Sequence, residues 1–73
     1  MLNFSSSKLR GRIVEVCGTQ TDFAKRMGLS THTTSMKVSG KTDWRREEII
    51  RAAAILNIPD DEIYPYFFAK EVQ

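Results

Sequence analysis

The stretch that decides the fold is TQTDFAKRMGLSTHTTSMKVSG, Thr19 to Gly40. Thr19 and Ser30 each stand just before a run with helical spacing, where a hydroxyl can accept a hydrogen bond from a first-turn amide that has no partner within the helix. This predicts a helix over Gln20–Met27, a turn at Gly28, Leu29 and Ser30, and a second helix from Thr31 to about Val38. Gly28 falls where the chain must turn left-handed, a conformation glycine takes without a Cβ penalty. Phe23, Met27 and Leu29 supply the apolar positions, and the small Ala24 leaves room for the second helix to cross closely. The pattern makes a corner rather than a rod.

Toward the N-terminus, Ser5 or Ser6 is expected to cap a first helix running to about Cys17, with a buried stripe of Leu9, Ile13 and Val16 or Cys17. Phe4 can fold back over that stripe, while Arg10 and Arg12 point toward solvent or a partner. Gly11 inside this helix costs roughly 1 kcal/mol relative to alanine, so it either marks close packing or weakens the first turns. Gly18 stops the helix, and Cys17 beside it reads as a small core residue.

Toward the C-terminus, Asp43 is expected to cap a fourth helix from Trp44 to about Leu56, with Ile49, Ile50, Ala53 and Leu56 buried and the Ala52–Ala54 run permitting close approach of another helix. Glu47 and Glu48 suit its N-terminal dipole, and Trp44 is either a core edge or an interface anchor. Asn57 ends the helix, and Ile58-Pro59-Asp60-Asp61-Glu62 opens a short fifth one. Tyr64, Tyr66, Phe67 and Phe68 then place four of the chain's seven aromatics within five positions. Such a cluster closes the core in part and meets another chain in part, so these four residues are candidates for a partner or dimer interface.

Composition bounds the function. Seventy-three residues form one small domain, which buries only about 60% of its unfolded surface. No deep enzymatic pocket is expected, and no nucleophile motif, glycine-rich phosphate loop or metal-ligand spacing suggests an enzyme, a cofactor or a small-molecule substrate. One cysteine and one histidine cannot make a four-ligand zinc site. No apolar run approaches the roughly 18 residues that span a bilayer, so a cytoplasmic protein without membrane contact is expected. The net charge of +2 hides a division. Met1–Arg46 carries nine lysines and arginines against three acids, a net +6, whereas Glu47–Gln73 carries two against six, a net −4. The positive half contains the two-helix corner, as a phosphate-facing surface requires.

Gln20, Phe23-Ala24, Met27-Gly28-Leu29 and Ser39-Gly40-Lys41 together resemble the Cro/C1-type (XRE) helix-turn-helix family of phages and bacteria. DWRREEIIRAAAILNIPDDEI (43–63) resembles the helix that follows in small Cro-like proteins, and EIYPYFFAKEV (62–72) the ending of one phage-encoded group. The resemblance implies an all-α, compact five-helix lambda-repressor-like domain over residues 1–73, with the helix-turn-helix at about 19–40 and an aromatic segment at 64–73. It implies base readout by Thr31, His32, Ser35 and Met36, and phosphate contacts by Gln20, Lys25, Arg26, Thr33, Lys37 and Lys41. The alternatives left open by the residues themselves are a solvated surface position for His32, a partial core position for Met36 and a helix cap for Gln20.

Two departures stand out. Thr34 occupies a place usually given to an aliphatic residue, and the bidentate base readers Gln, Asn and Arg are absent from the reading positions. The leading expectation is a homodimeric regulator in the bacterial host cytoplasm that binds double-stranded operator DNA and controls a lysis/lysogeny-type switch. The alternative is an antirepressor that binds a CI-type repressor and blocks its DNA binding.

Overall fold

The computed structural model describes the backbone of residues 2–4, 7–68 and 70–72 and the side chains of residues 7–68. The expected capping by Ser5 or Ser6 and the placement of the Phe4 side chain lie outside the described residues. Helix α1 spans Ser7–Cys17, α2 Gln20–Met27, α3 Thr31–Val38 and α4 Arg46–Leu56. A 3-10 turn at Asp60–Glu62 leads into α5, Ile63–Phe67. The five-helix, all-α architecture is the one expected. The chain ends add a short ribbon that the helical spacing gave no sign of: β1 (Leu2–Phe4) pairs antiparallel with β2 (Lys70–Val72), with Asn3 opposite Glu71.

The core is built from one stripe per helix. Leu9, Ile13 and Cys17 are buried on α1 at four-residue intervals and meet Phe23 and Met27 of α2, Val38 of α3, Ala52 and Leu56 of α4, and Phe67 of α5. Helix α1 packs on α2, α4 and α5, and α2 packs on α3 and α4. Gly11, left open between close packing and a weakening of the first turns, is exposed, and a Cβ there would meet nothing within 4 Å. Its cost to the helix is therefore not offset by a packing contact among the described residues.

Two arginines hold helix ends together. Arg12 was expected to face solvent or a partner. Instead its Nε donates to the Leu56 carbonyl (2.8 Å) and its NH2 to the Asn57 carbonyl (3.1 Å), while NH1 pairs with Glu15 at 2.6 Å. These bonds satisfy carbonyls that the end of α4 leaves open, beside Asn57 in the left-handed conformation at φ 54°. Likewise Arg51 NH1 donates to the Met27 carbonyl at 2.9 Å, at the end of α2.

The fourth helix departs from expectation at its start. It begins at Arg46 rather than Trp44, and the Arg45 N–H donates to Glu48 Oε1 at 2.8 Å, so Glu48 rather than Asp43 closes the first turn. Its buried face is Glu48, Ala52, Ala53 and Leu56. Ile50, expected in that stripe, is 61% exposed because it lies two residues from both Glu48 and Ala52, on the far side of the helix.

Candidate functional site

Helices α2 and α3 meet at a turn whose conformation is fixed locally. The Asp22 N–H donates to Thr19 Oγ1 at 3.1 Å and the Thr33 N–H to Ser30 Oγ at 3.0 Å, so both expected caps form. Gly28 takes φ 73°, and the N–H groups of Gly28 and Leu29 donate to the carbonyls of Lys25 (3.1 Å) and Ala24 (3.0 Å). The geometry leaves Thr31, His32 and Ser35 exposed on one side of α3, with Met36 half-buried. Gln20 is half-buried, and Lys25, Arg26 and Lys41 are exposed around the corner. Thr33 is half-buried, and its hydroxyl accepts a bond from Ser30 Oγ at 3.0 Å.

Lys37 is a correction. Expected near a phosphate, it is 5% exposed, and its Nζ lies 2.8 Å from Glu48 Oε1 and donates to the Asp43 carbonyl at 3.0 Å. The cation is held inward because Lys37 and Val38, three and four residues after Thr34, share with it the buried side of α3. Burial opposes ionisation of Glu48, but the hydrogen bonds from Lys37 and the Arg45 N–H, with the charges of Lys37 and Arg45, hold its carboxyl below the usual 4.5. The pair ties the end of α3 and the loop after it to the start of α4. Sequence reasoning overlooked it, although two signals were present: Lys37 is in the periodic stripe of α3, and Glu48 is one turn before Ala52 and three residues after Arg45. Thr34 is fully buried, and its Oγ1 makes no hydrogen bond among the described residues.

The aromatic segment divides by burial. Phe67, expected at an interface, is fully buried and meets Trp44 edge-on at 5.2 Å and 86°, so it belongs to the core. Trp44 is half-buried, which makes it a core edge, and its Nε1 is buried without a partner among the described residues. Tyr66 is half-buried beneath the Lys8 ammonium, 4.6 Å from its ring centroid. Tyr64 and Phe68 stay exposed, with ring centroids 6.1 Å apart. Together with Ile50, they leave apolar side chains in solvent along the α4–α5 side. An open groove of about 600 Å³ runs there, lined by Trp44, Arg46, Ile49, Ile50, Asp60, Ile63 and Phe68.

Residues 2–70 match the model of the family described as "Protein of unknown function (DUF739)". The chain belongs to that family. It is also similar to the modulator of repression (MOR) of the temperate bacteriophage TP901-1 from Lactococcus lactis, known from a solution structure. The two share 42% identity and a TM-score of 0.80 over 90% of this chain and 89% of that one. No curated protein matches the chain. Among the described residues, no helix is long and apolar enough to cross a membrane, and no group of three or more His, Cys, Asp or Glu side chains is placed to hold a metal ion.

Proposed function

We propose that this DUF739 protein is a phage-type modulator of repression that acts by binding a repressor protein. Its likeness to a protein described as a modulator of repression supports the regulatory role. The observation that carries the choice of partner is the chemistry of α3. Its one cation, Lys37, is buried in an ion pair, and its exposed side chains Thr31, His32 and Ser35 include no group that makes a bidentate base contact. A surface of this kind reads DNA weakly, whereas it does not hinder contact with another protein.

A second reading, a Cro-like regulator that binds operator DNA as a homodimer, draws on a different observation. Lys25, Arg26 and Lys41 are exposed around the α2–α3 corner, where phosphates would stand if α3 entered the major groove. Titrating the purified protein at moderate salt against phage operator DNA, and separately against a phage repressor protein, separates the two. The first reading expects a stable complex with the repressor, release of that repressor from DNA, and little retention of DNA by this protein alone. Tight DNA binding that falls steeply with salt, without a repressor complex, would overturn it.

A further inference from the structure

We infer that α3 opens as a unit, from the turn at Gly28 to the turn at Gly40, while the other helices stay folded, and that the Lys37–Glu48 pair is its latch. The helix has little at stake in the core. Its buried residues are Thr34, Lys37 and Val38, and Val38 is the one apolar side chain among them. By comparison, α1 buries Leu9, Ile13 and Cys17, α2 Phe23, Ala24 and Met27, and α4 Ala52, Ala53 and Leu56. Among the described residues α3 packs closely on α2 alone, whereas α1, α2 and α4 each pack on three helices.

The polar residues on the buried face favour release. Thr34 Oγ1 is buried without a hydrogen bond among the described residues, so its hydroxyl regains water when the helix opens. Lys37 and Glu48, 2.8 Å apart and nearly enclosed, also recover hydration on opening, which offsets much of the attraction that is lost. An open cavity of about 350 Å³, lined in part by Lys37, Gly40, Asp43 and Trp44, leaves the same end of α3 short of packing contacts.

The limits of the unit are built into the chain. Gly28 and Gly40 stand at φ 73° and 83° on either side of it, and glycine leaves that conformation without a steric penalty. Arg51 NH1 holds the Met27 carbonyl at 2.9 Å, and Arg12 joins α1 to the end of α4, so the remaining helices keep their own ties when α3 leaves. Opening withdraws Thr31, His32 and Ser35 as a helical surface, and a partner that needs the closed helix draws the equilibrium back toward it. The inference holds under either reading of function.

Hydrogen exchange of the full chain, followed by NMR at urea concentrations below the unfolding transition, tests this. The hydrogen-bonded amides of α3 are expected to be at least about tenfold less protected than the slowest amides of α1 and α4, with a smaller dependence on urea. Arg12→Ala should lower protection in α1 and α4 about fivefold or more and leave α3 unchanged, because the bonds of Arg12 survive in the open form. Glu48→Gln should lower protection of α3 at least about tenfold and Thr34→Val raise it about fivefold, since each changes the closed state and not the open one. Protection and urea dependence in α3 equal to those of the slowest α1 and α4 amides would overturn the inference, because α3 would then open only by global unfolding. An equal loss of protection in α3 and α4 on Arg12→Ala would overturn it for the same reason. Unchanged α3 protection in Glu48→Gln would overturn the latch, and Thr34→Val with Arg12→Ala decides the opening itself should Glu48→Gln not fold.

Discussion

Lys37 and Glu48 form an ion pair at 2.8 Å with side chains only 6% and 10% exposed, joining the last turn of α3 to the first turn of α4. Removing one partner strands the other charge in the protein, at a cost of about 3–5 kcal/mol, whereas two apolar groups of similar volume can replace a buried pair with little loss. Glu48→Gln is therefore expected to lower unfolding stability by about 3 kcal/mol, and Lys37→Met/Glu48→Met to recover most of that loss. Urea titrations of the three proteins measure both effects.

The same pair gives the fold an acid sensitivity of definite sign. The folded-state pKa of Glu48 is depressed, so its contribution is fully present above the ordinary carboxylate value of 4.5 and is lost as pH falls through the lower, folded value. Stability measured from pH 6 downward should begin to lose this contribution near the ordinary value and continue to lose it below. In Lys37→Met/Glu48→Met the acid-dependent loss should be smaller, and an identical loss in both proteins would assign the acid sensitivity to other carboxylates.

Arg12 bridges α1 to the end of α4 through two backbone carbonyls. Arg12→Ala should cost about 1–2 kcal/mol, in the range for bonds to a charged donor that remains partly exposed. Arg12→Lys should recover little, since a single ammonium cannot reproduce the planar fork that reaches both carbonyls. Thermal unfolding of both variants tests the geometry of the bridge as well as its charge.

Two glycines should respond to alanine with opposite signs. Gly11 lies in a helix with open space where a Cβ would go, so Gly11→Ala should stabilise by about 0.5–1 kcal/mol. Gly28 sits at φ 73°, so Gly28→Ala should destabilise by about 1–2 kcal/mol even though nothing would touch the added methyl. A shift of the same sign at both positions would contradict the backbone assignment.

Thr34→Val replaces a fully buried hydroxyl that makes no hydrogen bond among the described residues with a methyl of nearly the same shape. A stabilisation of about 1 kcal/mol is expected from removing the desolvated polar group. A destabilised variant would show that the hydroxyl has a partner in solution.

What the sequence by itself determined was local. Thr19, Ser30, Gly28 and Asn57 mark helix ends because a cap bond or a positive φ involves residues a few positions apart, and the stripe of α1 is legible because burial repeats with the helical period. The same arithmetic failed where polar residues entered a stripe. Lys37 and Glu48 sit at core-facing positions, but each reads alone as a surface charge. Only the fold, by bringing the last turn of α3 to the first turn of α4, sets them 2.8 Å apart and makes burial tolerable. Tertiary structure also separated Phe67 from Phe68, adjacent in sequence yet fully buried and 42% exposed respectively, because Phe67 ends α5 against Trp44 while Phe68 lies just past the helix. Composition identified a basic half and an acidic half, but only packing decided that Lys37 faces inward while Ile50, Tyr64 and Phe68 stay exposed.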